Sequence, residues 1–444
     1  MLNRIQELNP KLNAYLTICE ETALGQAREA ERALCNPARS KSRRDRGTLH
    51  GIPISLKDNI YTAGVRTTGG SKILREFVPL DDAQVVASLK RAGAVILGKT
   101  NMHEFAYGVT TENPHFGAAH NPWDLERIAG GSSGGSAAAL AAGLCYGSIG
   151  TDTGGSIRIP AALCGVVGLK PGMGSVDAQH VIPLSKTLDV VGPMARTVED
   201  VALLFRAICV EAKNEGQSSS RRPPRARRFI LGIPKEFYFH VLSQEVELSF
   251  QTAIRVLNKL GVRFKEVSIP LLAETEEAGN QIAWAEATSH HQQAGWFPQR
   301  AGEYGEDVRV RLEMGTKVSA VDYLGAFELR AKFIASLRDA VLASGIDALV
   351  VPTTPIVAPR LAEDSVTIKG TKHSTRALLL RLNRPANLAG VPAISVPCGL
   401  TGSGLPGGFQ LVGGLGGELQ LLELARRFEQ ACPLNAQPNL YFAD

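Results

Sequence analysis

The sequence predicts an α/β protein built on a doubly wound sheet, and three features carry that prediction. Short apolar runs at residues 52–56 and 94–98 flank a segment with helical spacing, which gives a strand, helix, strand order. Gly 45 and Pro 24 among 444 residues supply the many tight turns such an order needs. An apolar share of 44% is enough to bury a large core, which excludes disorder, collagen and coiled coil. By length alone, at roughly 150 residues each, two or three domains are allowed.

Taken in order, residues 3–33 carry abundant Ala and Glu with apolar residues at helical spacing, and predict helix broken once by Pro10. Ile52-Pro53-Ile54-Ser55-Leu56 is strand-like and ends at Lys57-Asp58-Asn59. Asp81 or Asp82 stands where it can cap a helix whose core face is Val85, Val86 and Leu89, with Gly93 closing it before the buried strand 94–98. Thr197 to Ile208 reads as an amphipathic helix with Thr197 and Asp200 at capping-box spacing. Strand patterns return at 229–234, 347–352 and 394–397, and there is no internal repeat. The helical stretch 243–345 is expected to lie over the sheet as a lid or second layer.

A net charge of +5 raises the question of polyanionic partners, and its distribution answers it. Residues 39–46 sum to +4 and 213–228 to +5, so the rest of the chain carries −4. Both stretches lack aromatics and are rich in Ser, Pro or Asn, as solvated loops are, with an electrostatic contact to a polyanion as the other reading. The seven cysteines are scattered, odd in number and without a C-x-x-C pair, which argues against a disulfide framework or a zinc site. The N-terminus has no apolar signal core and no run approaches the ~18 apolar residues of a membrane span, so a cytoplasmic location is expected.

The chemistry is concentrated where Gly130-Gly131-Ser132-Ser133-Gly134-Gly135-Ser136 runs into Ala-rich sequence up to Gly143. A flexible linker is disfavoured by that helix-prone tail; a phosphate loop lacks its Lys. Gly131 to Gly135 formally fits a nucleophile elbow around Ser133, but turn-like residues precede it and few His partners follow. The remaining reading pairs this turn with a second one, Gly150 to Arg158, in which Gly154 and Gly155 let successive N–H groups point beside Ser156, as an oxyanion hole requires. A nucleophilic Ser without a His needs another base, and Lys57, at the end of an apolar strand, suits a lysine made neutral by burial. Ser133 and Ser136 are read as cap or packing residues, and Asp58 must point away from Lys57 to leave it neutral. Asp152 is expected to hold the second turn, with Arg158 paired to it or touching substrate.

These residues resemble the amidase signature family. The likeness runs from His50-Gly51-Ile52-Pro53 and Lys57-Asp58-Asn59 through Gly98 to Met102, Glu112-Asn113, Asn121-Pro122, Gly130 to Gly143, Gly150 to Pro171, Leu188 to Pro193, Asn387 to Pro392 and Gly404 to Gln410. It implies one large domain over 1–444 with a central mixed sheet covered on both faces by helices, comprising an N-terminal helical segment and basic loop (1–48), a catalytic core (50–195), an inserted basic loop (213–228) and a substrate-covering region (243–345). It implies Lys57 as base, Ser132 as bridging Ser behind a cis peptide bond, Ser156 as the acylated Ser, and the backbone N–H groups of Thr153, Gly154, Gly155 and Ser156 as the oxyanion hole. No cofactor or metal is implied. Gly172-Met173-Gly174-Ser175 depart from the family's pattern after Lys170-Pro171, so a more mobile loop is expected there. The chain also begins past the family's usual first helix, and a different N-terminal packing is expected.

Two forms of such an enzyme compete. The glutaminase component of tRNA-dependent amidotransferases is similar at Glu104-Phe105-Ala106 and at Glu306 to Gly315, where Arg311 matches a carboxylate-binding Arg, and the basic loops would suit a tRNA-bound complex. That component further has an Asp for the glutamine ammonium shortly before Asn-Leu-Ala-Gly, whereas Arg376 to Ala386 contains no acid. An unpaired buried charge is costly, so the sequence favours a free-standing amidase acting on a small carboxamide, with Arg311 as the anchor for an anionic one. The partner expected is thus a small-molecule amide, with no membrane, with nucleic acid only indirectly through an amidotransferase, and with a homodimer left open. A non-catalytic scaffold is the third class, disfavoured because Lys57, Ser132 and Ser156 are all present.

Overall fold

The apolar runs pair into one sheet of eleven strands in the computed structural model, which describes residues 1–35, 47–210 and 228–440. Its order is Tyr15–Ile18, Val95–Thr100, Pro53–Lys57, Gly147–Asp152, Val190–Ala195, Val167–Lys170, Ala393–Leu400, Pro406–Val412, Ala348–Pro352, Ile230–Pro234 and Arg263–Val267. Pro53–Lys57 and Ile230–Pro234 each run parallel to both neighbours, while the strands between these two groups are joined antiparallel. The sheet is therefore mixed, in a single α/β domain.

Alternation along the strands divides the core. Ile54, Leu56, Ile96, Ile149, Val350 and Ile394 face the helices Gln84–Arg91, Val198–Ile208, Gln244–Lys259 and Glu418–Ala431. On the other face Val95 and Leu97 meet Leu2–Leu12 and Gly134–Ala141, and Leu349, Val351 and Ala393 meet Thr275–Gln293, Ala320–Ser344 and Arg384–Ala389. Burial on both faces is why these strands read as unbroken apolar runs instead of alternating ones. Among the described residues no helix is long and apolar enough to cross a membrane.

Several local expectations change. Residues 3–33 are two helices, Leu2–Leu12 and Glu20–Cys35, separated by the edge strand Tyr15–Ile18. The break comes at Asn13, whose φ of 46° ends the first helix in the left-handed region that Asn tolerates, and Pro10 stays inside the helix. Asp82 does not cap Gln84–Arg91; it accepts from Ala63 N–H at 2.9 Å and pairs with Lys90 at 2.7 Å. Thr197 does cap Val198–Ile208, accepting from Asp200 N–H. Within 243–345 the strand Arg263–Val267 extends the sheet, because residues 263–267 pair in register with Ile230–Pro234. The departing loop after Pro171 is held by the buried Glu418, which accepts from Gly172 N–H at 3.0 Å and Ser175 Oγ at 2.6 Å. The basic segments 39–46 and 213–228 lie outside the described residues, Arg228 excepted.

Candidate active site

Lys57 closes the strand Pro53–Lys57, and Thr151 stands near the end of its parallel neighbour Gly147–Asp152. Carboxyl ends of parallel strands are where α/β sheets leave room for ligands. The Lys57 side chain is fully buried, and its Nζ donates to Ser132 Oγ at 2.6 Å and Thr151 Oγ1 at 2.7 Å. Burial pushes this amine down to about 7, with Asp189 and Asp152 opposing the shift. Asp58 is turned away as expected: its carboxylate takes Thr68 N–H at 2.9 Å and lies 3.9 Å from Lys99.

The first turn brings Ser132 to Lys57 and can be made only of small residues. The Gly131–Ser132 peptide is cis, as the resemblance implies. A Cβ on Gly131 would fall 2.8 Å from the Val109 carbonyl carbon, and one on Gly135 2.5 Å from the Asn101 oxygen. The helix Gly134–Ala141 can thus lie directly on its neighbours, while Ser136 Oγ meets Thr100 Oγ1 at 2.7 Å as a packing contact. Ser133 is no side-chain cap; its Oγ donates to the Thr151 carbonyl at 3.3 Å. Its N–H donates to the Ser156 carbonyl at 3.1 Å, which ties the two turns together.

Asp152 organises the second turn. Its carboxylate accepts from Gly155 N–H at 2.8 Å, Ile157 N–H at 3.1 Å and Arg158 Nε at 3.1 Å. Burial would raise its pKa, but the Arg158 guanidinium reverses this and holds the carboxyl well below the usual range. Gly155 therefore leaves the expected set of oxyanion donors, since its N–H is already bonded. The N–H groups of Thr153, Gly154 and Ser156 have no acceptor among the described residues. Arg158 is likewise corrected as a substrate contact. It is fully buried, and beyond Asp152 it donates to Gln410 Oε1 at 2.9 Å, Asn387 Oδ1 at 2.6 Å and the Asn383 carbonyl at 3.0 Å.

Ser156, Thr153 and Gly154 open on a cavity walled by Tyr107, Leu184, Leu188, Trp284, Arg376, Leu380 and Arg384 among others. Of the stretch 243–345 only the helix Thr275–Gln293 reaches it, through Gly279, Asn280, Ala283 and Trp284. Arg311 does not line it. That guanidinium stacks 5.3 Å from the Tyr107 ring centre and donates to Asp307, which also meets His103 Nε2 at 2.8 Å, so the expected anchor is already paired. Asp189 closes the base of the site: it accepts from Thr153 Oγ1 at 2.5 Å and from the N–H groups of Leu184 and Ser185 at 2.8 and 3.1 Å, and burial raises it to about 6.

Thr151 and Asp189 beside Lys57, and Tyr107, Trp284, Arg376 and Arg384 around the cavity, are the residues that sequence reasoning does not single out. The signal for the two arginines lies in the acid-free segment 376–386, whose cations are as informative as its missing Asp.

The chain matches the family model for amidases over residues 1–422. It is 39% identical to the A component of the Glutamyl-tRNA(Gln) amidotransferase of Carboxydothermus hydrogenoformans over 470 aligned positions, covering 99% of this chain and 94% of that protein. Among solved structures it superposes on an amidase with a TM-score of 0.87 at 34% identity, covering 97% of this chain and 94% of the other. It superposes on the corresponding A component of the Glutamyl-tRNA(Gln) amidotransferase of Thermotoga maritima with a TM-score of 0.79 at 34% identity, covering 99% and 93%.

Proposed function

The chain belongs to the amidase family and is an amidohydrolase, and from that premise we propose that it cleaves a carboxamide C–N bond through an acyl-enzyme on Ser156. The observation that carries this reading is the 2.6 Å contact between Ser132 Oγ and a Lys57 amine whose proton affinity burial has brought to about 7. Neutral Lys57 takes the proton of Ser132, Ser132 takes that of Ser156, and Ser156 Oγ attacks the amide carbon. The oxyanion is held by the N–H groups of Thr153, Gly154 and Ser156, each such donor contributing roughly 100- to 1000-fold in rate. The relay in reverse protonates the leaving amine. Water then enters, gives its proton to the same relay, and releases the acid.

At the finer level the relatives' names favour the amidotransferase component over the free-standing amidase. On the other side stands the cavity, whose lining among the described residues contains no carboxylate for a glutamine ammonium. A panel of glutamine, a short aliphatic amide, an aryl amide and a urea-type compound, run on the chain by itself and with amidotransferase partner proteins, separates the two. Preferred glutamine turnover that depends on partners supports the amidotransferase component. Ser156→Ala and Lys57→Ala are each expected to lower kcat by at least a thousandfold, and unchanged turnover in either would sink the relay. A chain inactive on every amide with or without partners would leave the non-catalytic scaffold.

A further inference from the structure

The cavity beside Ser156 is lined by hydrogen-bond donors with nothing to donate to. The Tyr107 hydroxyl, Trp284 Nε1 and Arg376 Nε are buried and have no partner among the described residues, and Arg311 Nε, against the Tyr107 ring, is in the same condition. No carboxylate of the described residues lines the cavity to answer them. Buried polar groups are almost always satisfied, so three orphans around one space, with a fourth behind them, imply an acceptor-rich occupant.

Arg384 shows where that occupant sits. One edge of its guanidinium is fixed, with Nη1 donating to Asn280 Oδ1 at 2.6 Å and the Glu276 carbonyl at 3.2 Å. The other edge turns to the nucleophile's turn: Nη2 and Nε lie 3.8 and 3.9 Å from where a Cβ on Gly154 would be. Gly279 makes the room, since a Cβ there would fall 2.5 Å from Arg384 Cδ. The Glu276 carboxylate bonds Arg381 at 3.4 Å and not this edge, and its field offsets only part of the burial that lowers Arg384 to about 10. Burial first, then repulsion from Arg311 and Arg384, brings Arg376 down to about 9. Cations so placed are costly until an anion enters.

We propose that Arg376 and Arg384 form an anion subsite that holds the carboxylate of a short carboxamide substrate bearing no ammonium group, a monoamide of a dicarboxylic acid. The assignment deepens the reading of Ser156 as nucleophile and rests on it. Glutamine has the required carboxylate and amide, but its ammonium would enter a space with two guanidinium groups and, among the described residues, no carboxylate in its lining. An ion pair from two guanidinium forks would position the far end of the substrate and leave its amide over Ser156.

The test compares the full-length protein on glutaramate, which is glutamine without its amino group, on glutamine, and on butyramide. Glutaramate is expected to exceed both in kcat/KM by at least tenfold. Arg376→Met should raise KM for glutaramate at least tenfold more than for butyramide, with Arg376→Lys recovering part, and Arg376→Gln serves if the Met variant does not fold. Equal or better turnover of glutamine, or equal losses on both amides, would overturn the subsite. Should no amide be hydrolysed, the nucleophile reading fails separately. Calorimetric binding of glutarate to the same proteins then decides: saturable binding lost in the Arg376 variants supports the subsite, and no binding overturns it.

Discussion

Lys57 can serve as a base because opposing influences on its charge nearly balance at neutral pH. Burial favours the free amine, while the carboxylates of Asp189 and Asp152 favour the ammonium, and the outcome near 7 leaves an appreciable neutral fraction. The proposed relay needs that neutral form, so kcat/KM should rise as pH rises through about 7. Asp189→Asn removes one of the charges that raise the Lys57 pKa, which should move this limb toward acid by roughly one unit. Asn keeps an oxygen for the N–H groups of Leu184 and Ser185, so the loop they belong to has an acceptor still. A pH–rate profile of both proteins on one amide checks it, and a limb that stays in place or moves toward alkali would refute the coupling. Lys57 itself was legible, since a lone Lys ending an apolar strand has few bland uses. Asp189 was not, because it is 132 positions away and only the folded chain brings it near.

At the scale of elements, the turn into Gly134–Ala141 was readable from composition because glycine followed by alanine marks a closely packed helix start. What composition could not supply is which glycine is indispensable. Gly135 and Gly25 both lie in helices, where Ala is intrinsically better by roughly 1 kcal/mol. Gly135→Ala would place its Cβ 2.5 Å from the Asn101 oxygen and 2.6 Å from that of Ala14, backbone atoms that cannot yield, whereas at Gly25 nothing described lies within 4 Å beyond its chain neighbours and its own helix backbone. The same substitution should therefore have opposite signs: a loss of about 1–3 kcal/mol from overpacking at Gly135 and a gain of about 0.5–1 kcal/mol at Gly25. Urea midpoints at constant slope measure both. A Gly135→Ala protein as stable as the parent would show that this helix is less tightly seated than its contacts imply. The second turn teaches the complementary lesson: Gly154 and Gly155 look equivalent in sequence, yet the Asp152 carboxylate claims the Gly155 N–H and leaves that of Gly154 free among the described residues.

Across the whole molecule, Arg158 is the group through which the two halves of the sheet share one site. It starts the helix Arg158–Cys164 behind Ser156, yet it bonds Asp152 from the strand Gly147–Asp152, Asn387 from Arg384–Ala389 and Gln410 from Pro406–Val412, the last two more than 220 positions away. Its pairing with Asp152 was an expectation of the sequence; its reach to the C-terminal strands was beyond local reading. Removing it by Arg158→Met leaves Asp152 as a buried charge without its counter-ion, a change worth about 3–5 kcal/mol at neutral pH. The sign of the pH dependence follows from the direction of the Asp152 shift. Its folded-state pKa is depressed, so its contribution is fully present above about pH 4, the ordinary Asp value, and fades as pH falls toward the folded-state value. In the variant only Lys170 and the remaining hydrogen bonds oppose burial, so the same pKa rises from its depressed value and less of this stability is present at neutral pH. The gap between the two proteins should thus be widest at neutral pH and shrink toward acid, and Asp152→Asn added to Arg158→Met should recover part of it. Urea unfolding of the three proteins at neutral and mildly acid pH measures these differences. A gap that does not change with pH would mean that Arg158 holds the halves together by shape and not by its charge.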